Sequence, residues 1–106
     1  MKIEKLDNMT RGWFIGFFDP SVFKTSLFEV GILRHSKGET WPRHTHKIAT
    51  EINCLISGKM TIQGVELNSG DIFTLLPGEI ADPEFLEDCT VVVVKTPSIK
   101  EDKYEL

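Results

Sequence analysis

Two histidines and a glutamate near the middle of the chain are the residues with the clearest chemical potential. His44 and His46 are two of the chain's three histidines, and Glu51 follows five positions after His46. Successive side chains of an extended strand point to opposite faces, so the two histidines share a face that Glu51 cannot share on one straight strand. A bulge, a bend or a change of strand between Lys47 and Thr50 is therefore predicted.

Two neutral imidazoles and one carboxylate are ligands that suit a divalent first-row metal ion. Three protein ligands leave coordination positions open, as a catalytic metal requires. Iron, manganese, nickel and zinc are not distinguished by these ligand types. Without a metal, His44 and His46 would be catalytic residues that move protons, since histidine titrates near neutral pH. The residue types alone leave both chemistries open.

The same stretch carries a family resemblance. The first cupin motif consists of a glycine, a His-x-His pair, a glutamate and a second glycine at fixed spacing. In this chain its positions are occupied by Gly38, His44, His46, Glu51 and Gly58. The stretch therefore resembles the cupin superfamily. This resemblance implies an all-β fold, a small double-stranded β-helix or jelly-roll barrel, with the motif side chains inside it.

The second cupin motif is met only in part. Gly70 and Gly78 match, but Leu76 replaces a proline, Ala81 replaces a histidine and Phe85 replaces an asparagine. In cupins that histidine is usually the remaining metal ligand. The glycines carry the turns, so the implied fold is kept while the complete four-ligand site is lost.

Asp82 follows the position at which the motif histidine is missing. A strand shifted by one residue would bring its carboxylate into the pocket as a further ligand or base. The alternative is a turn aspartate before Pro83. The candidate metal ligands are thus His44, His46, Glu51 and Asp82.

The elements that must position these residues are short strands. A length of 106 residues predicts a single domain, residues 1–106. Turn signals recur at the spacing typical of an all-β sandwich or barrel. Strands are expected at residues 26–34, 51–57, 72–76 and 90–95. Residues 59–63 are expected to pair back on 51–57 as a hairpin, and the tail 98–106 to be a short helix or disordered.

Composition excludes several classes of partner. The formal net charge is −4 and no basic patch is present, which argues against nucleic acid. No apolar run approaches the roughly 20 residues needed to cross a bilayer, and the polar start of the chain does not read as a signal peptide. Cys54 and Cys89 are expected to be reduced thiols. A cytoplasmic protein without membrane partners is predicted.

Two predicted strands are apolar on both faces, which motivates a prediction about assembly. Ile52, Cys54 and Ile56 stand opposite Leu55, and residues 91–94 are all valine. One face of each strand lines the barrel, so the other needs a second sheet or a partner chain. A homodimer is therefore expected.

Three functions are compatible with these residues. The first is a metal-binding cupin that acts on a small molecule. The second is a metal-free cupin similar to sugar isomerases or epimerases, because RHTHK resembles a stretch of nucleotide-sugar 3,4-ketoisomerases. The C-terminal run VVVVKTPSIKEDKY is also similar to small cupin domains of polysaccharide biosynthesis. The third is a non-catalytic module that binds or senses a ligand, so the sequence leaves open whether the protein is an enzyme.

Overall fold

The computed structural model describes residues 1–106, which form eleven β-strands and one short 3₁₀ helix at Leu6–Asn8. The strands are β1 (Trp13–Ile15), β2 (Glu29–His35), β3 (His44–His46), β4 (Thr50–Ser57), β5 (Lys59–Ile62), β6 (Val65–Asn68), β7 (Ile72–Leu75), β8 (Ile80–Ala81), β9 (Glu84–Phe85), β10 (Cys89–Thr96) and β11 (Lys103–Glu105). The prediction of an all-β fold is confirmed.

The strands form one large sheet and two small ones. The large sheet has the order β1-β2-β10-β4-β7, and the small sheets have the orders β11-β3-β8 and β6-β5-β9. All of the strand pairs are antiparallel. The valine run occupies β10, which pairs with β2 and β4, and β-branched side chains suit such a position because both of its faces pack.

The inner face of the large sheet changes from apolar to polar along its strands. Across β10 and β4, Val91 faces Leu55, Val93 faces Asn53 and Lys95 faces Glu51. The apolar end belongs to a buried cluster made of Leu55, Met60, Phe85, Cys89, Val91 and Val93. The larger hydrophobic cluster therefore packs against one end of these strands, and the charged pair Lys95 and Glu51 lies at the other, beside a smaller cluster of Ile62, Leu75 and Ala81.

Of the predicted bulge, bend or change of strand between Lys47 and Thr50, the structure contains a change of strand. β3 ends at His46 and belongs to a small sheet, whereas β4 begins at Thr50 and belongs to the large sheet. The offset between the histidine pair and Glu51 is thus resolved by placing them in different sheets.

Two local predictions are wrong. Residues 59–62 do not pair back on β4, because β5 crosses to another sheet and pairs with β6 and β9. Gly58 makes this crossing with φ +99°, where an added Cβ would lie 2.3 Å from the Asp88 carbonyl oxygen. The C-terminal tail is neither helical nor disordered, since Lys103–Glu105 forms β11 and pairs with β3.

The outer face of the large sheet carries exposed apolar side chains. Ile56 is 53% exposed and Ile72 is 69% exposed, while Ile52 is exposed to a smaller extent. Both cysteines are free thiols. The chain contains no helix with the length and apolar character needed to span a membrane.

Candidate functional site

A cavity of about 800 Å³ lies between the sheets and is lined by their inward side chains. His44 and His46 reach it from β3, and Glu51 reaches it from β4. The structure therefore brings three of the four candidate ligands to one cavity. The other polar lining residues include Arg11, His35, Glu39, Asn53, Lys95 and Lys103.

Both histidine rings are held by a hydrogen bond from Nδ1 to a backbone carbonyl. The distance is 3.0 Å from His44 Nδ1 to the Pro42 oxygen and 2.9 Å from His46 Nδ1 to the Asp102 oxygen. A carbonyl oxygen only accepts, so each Nδ1 carries the proton and each neutral ring keeps its lone pair on Nε2. The ring centroids of His44 and His46 lie 5.3 Å apart. Two imidazole lone pairs are thereby fixed within one small region.

The Nε2 atom of His46 is buried and has no hydrogen-bond partner in the protein. Buried polar atoms are normally paired, so an unpaired one calls for an explanation. Burial, followed by the charge of Lys95, lowers the pKa of His46, while Glu51 and the Asp102 hydrogen bond oppose this shift. His46 is therefore held in the neutral form that can donate a lone pair.

Glu51 belongs to a charged row that crosses the inner face of three strands. Lys95 on β10 lies directly between Glu29 on β2 and Glu51 on β4. Its Nζ is 3.9 Å from Glu29 Oε1, and Glu51 Oε2 accepts a long 3.4 Å hydrogen bond from Asn53 Nδ2. Burial raises the pKa of Glu29, against the opposing effect of Lys95. Glu51 thus faces the cavity with only weak protein contacts.

Comparison with known proteins identifies the fold. No family model matches the sequence, and no curated protein matches it. Among solved structures, the chain resembles an uncharacterised conserved protein with a double-stranded β-helix domain from Klebsiella pneumoniae. The TM-score is 0.68 at 20% identity, over 99% of this chain and 96% of that one. The chain has the cupin fold.

Two enzymes share this fold. The DMSP lyase DddQ from Ruegeria pomeroyi gives a TM-score of 0.72 at 16% identity over 88% of this chain, which spans about half (49%) of the lyase chain. The nucleoside dehydratase Pac13 from Streptomyces gives 0.68 at 14% identity, over 77% of this chain and 70% of that one. At these identities the likeness concerns the fold.

The fourth candidate ligand, Asp82, does not line the cavity. Ala81, at the position of the missing motif histidine, pairs with His44 across β8 and β3. Asp82 is not among the cavity-lining residues, and its carboxylate accepts a 2.7 Å hydrogen bond from the Gln63 backbone N–H. The structure therefore places Asp82 in a turn interaction.

The donor set fits a metal ion in part. The Nδ1 hydrogen bonds leave both Nε2 lone pairs free, and such a backbone contact on the other ring nitrogen is typical of metal-binding histidines. However, no group of three or more His, Cys, Asp or Glu side chains is assembled as a metal site. Glu51 would have to approach the two rings to complete a three-ligand set.

Asp102 is a site-supporting residue that the sequence reasoning missed. Its buried carboxylate accepts hydrogen bonds from the backbone N–H groups of Lys47, Ile48 and Ala49, at 2.9–3.2 Å. Burial would raise the pKa of Asp102, but these N–H donors outweigh it and hold the pKa below its usual value. The segment that joins β3 to β4 is thus fixed by a residue over 50 positions away, and no local pattern signals this contact.

His35, the third histidine of the chain, also lines the cavity. Its Nδ1 lies 2.6 Å from Glu39 Oε2, which also accepts a 2.6 Å hydrogen bond from Trp41 Nε1. The His35 ring stacks on Phe85 with a centroid distance of 4.2 Å. The alternation of β2 puts residues 31, 33 and 35 on one face, a signal that could have placed His35 inside.

Proposed function

We propose that this cupin binds a divalent metal ion through His44, His46 and Glu51, and that a small molecule binds beside the metal. The observation that carries the proposal is the buried, unpartnered Nε2 of His46. Its neighbour His44 presents a second Nε2 in the same tautomer. Nothing else in the protein uses either lone pair.

The cavity is suited to a small molecule. Its volume of about 800 Å³ falls in the range of roughly 300–1,000 Å³ typical of ligand pockets. DddQ and Pac13 show that this fold supports enzymes acting on small molecules. When bound, a metal ion would polarise a ligand oxygen or lower the pKa of a bound water. His44 and His46 would hold the ion, and Glu51 would supply a carboxylate oxygen.

A second candidate function is metal-free proton transfer, and the position of Lys95 favours it. The Lys95 ammonium lies beside Glu51 in the sheet and, after burial, is the next cause of the lowered pKa of His46, so it already supplies a positive charge there. That charge opposes a metal cation but favours the neutral form of His46, which a general base needs. A keto sugar would suit this chemistry, in line with the predicted link to polysaccharide biosynthesis.

Metal content separates the two candidates. The protein is purified without chelators, incubated in turn with zinc, manganese, nickel and iron(II), and analysed for bound metal. We expect about one ion per chain, and less than about one tenth of that in His44→Gln and His46→Gln, because each removes one ligand nitrogen. His35→Gln is the matched control, since it changes the third histidine of the same cavity and should keep its metal.

A wild-type protein that none of the four ions fills would refute the metal proposal. Turnover of a nucleoside diphosphate 4-keto-6-deoxy sugar that persists after chelation, and is lost in His46→Gln, would then support proton transfer. Ligand binding without turnover would instead support a binding or sensing module.

A further inference from the structure

We propose that the cavity binds the anionic oxygen group of its ligand, a carboxylate or a phosphate, through Arg11, Lys95 and Lys103. This inference rests on the proposal that the cavity is a small-molecule site, and it is independent of whether a metal ion is bound. None of the three residues belongs to the cupin motifs described above.

The three cations come from distant parts of the chain and line one cavity. Arg11 precedes β1, Lys95 lies near the end of β10 and Lys103 begins β11. Neither Arg11 nor Lys103 has a carboxylate within 4 Å, and Lys95 has only the loose 3.9 Å contact with Glu29. Glu29 and Glu51 flank Lys95, but Arg11 and Lys103 have no such partner, so an anion bound between the three cations would reduce their mutual repulsion.

The electrostatics of Lys103 support this arrangement. Burial, followed by the charge of Lys95, lowers the pKa of Lys103, and Arg11 adds a smaller effect in the same direction. The carboxylates of Glu105 and Glu51 oppose the shift but do not cancel it. Lys95 and Arg11 are thus both close enough to Lys103 to act on its charge, so the three cations share one region of the cavity.

The carboxylates of the cavity do not neutralise the cations. Three cationic side chains that line the cavity, Arg11, Lys95 and Lys103, stand against three carboxylates, Asp7, Glu39 and Glu51. Glu39 is already occupied by its hydrogen bonds with His35 and Trp41. Asp7 and Glu51 thus remain to face three cations.

Tryptophan rings hold the two lysines in place. Lys103 Nζ lies 4.8 Å from the Trp41 ring centroid, and Lys95 Nζ lies 5.2 Å from that of Trp13. Such cation–π contacts position an ammonium without neutralising its charge. The same rings offer flat apolar surfaces to the uncharged part of a ligand. Trp41 is itself fixed by its N–H donation to Glu39.

Arg11 is presented by an unusual turn. Its φ of +50° is left-handed, a conformation that disfavours residues other than glycine. Gly12 follows with φ +86°, where an added Cβ would lie 2.0 Å from the Ile32 carbonyl oxygen. Strained backbone of this kind clusters at functional sites. The strain is consistent with a guanidinium that must be placed at the cavity.

Anion titrations of the full-length chain test the proposal. Inorganic phosphate and acetate are added at constant pH and ionic strength, and binding is read from the fluorescence of the two tryptophans, which both lie under lysines. We expect saturable binding that Lys103→Met weakens about tenfold, because a charge-assisted contact is lost while the aliphatic stem is kept. Lys103→Arg should restore most of the affinity, and Lys37→Met, at an exposed turn outside the cavity, should have no effect.

The anion with the higher affinity shows whether the site prefers a phosphate or a carboxylate group. Unchanged phosphate and acetate affinities in Lys103→Met, or no saturable response to either anion up to about 50 mM, would overturn the inference. Phosphate binding that survives His46→Gln while metal binding is lost would show that the anion site stands separately. Metal binding by a wild-type protein that ignores both anions would leave the metal proposal standing and refute this one.

Discussion

Removing the carboxylate of Asp102 should destabilise the protein far more than its place near the chain end suggests. Asp102→Ala deletes the acceptor for three backbone N–H groups. The N–H groups of Lys47 and Ile48 lie in exposed residues and can turn to water, whereas Ala49 is only 3% exposed. About 1–2 kcal/mol for the buried donor and about 0.5–1 kcal/mol for each of the others give a total of roughly 3 kcal/mol.

This loss converts to a shift in melting temperature. An unfolding entropy of about 2.1 cal/mol/K per residue gives roughly 0.22 kcal/mol/K for 106 residues, so about 3 kcal/mol lowers Tm by roughly 13 °C. Asp71→Ala is the matched control, because the exposed Asp71 accepts a single N–H from Asn68 at 2.7 Å. About 1 kcal/mol, or roughly 5 °C, is expected there.

Thermal unfolding followed by circular dichroism measures both variants. The pH dependence of stability provides a second check, because the pKa of Asp102 is lowered in the native state. Its stabilising effect is present above the ordinary aspartate pKa of about 3.9 and is lost as the pH falls through the lower native pKa. The gap between wild type and Asp102→Ala should therefore narrow in strong acid. Equal losses of Tm in the Asp102 and Asp71 variants at neutral pH would refute the reasoning.

Three further predictions follow from packing, titration and surface. Gly31→Val should lower stability by about 2–3 kcal/mol in urea unfolding, because a Cβ at Gly31 lies 2.8 Å from the Trp13 ring, and Gly31→Ala should cost less. Because the pKa of His46 is lowered, the unfolded state binds more protons than the native state just below pH 6.5. The free energy of unfolding should therefore fall as the pH drops through this region. His46→Gln should flatten that part of the stability profile, and an unchanged slope would show that another group causes it. The homodimer predicted from the sequence would cover the outer face that exposes Ile56 and Ile72; light scattering at micromolar concentration should show a dimer in the wild type and a monomer in Ile56→Lys, and a wild-type monomer would contradict it.

The candidate site could be predicted in part because its spacing is local. His44 and His46 share a face on any extended strand. Because Glu51 follows His46 by an odd number of positions, a bulge, a bend or a change of strand was required between them, and the structure contains the change of strand. The motif glycines and the turn signals were enough to indicate a small all-β barrel. The predicted β4–β5 hairpin was wrong because Gly58 turns the chain into another sheet, a choice that depends on its close approach to Asp88.

The sequence by itself determined that His44 and His46 share one face of a strand and that Glu51 cannot join them on the same straight strand, because strand alternation depends only on neighbouring positions. Only the tertiary structure decided that Asp102 anchors the segment after His46, that Asp82 turns away, and that Arg11 and Lys103 line the same cavity as Lys95. These arrangements join residues that are 19 or more positions apart in the chain or lie near its two ends. Their partners are selected by sheet pairing and burial over long range, so short-range patterns carry no record of them.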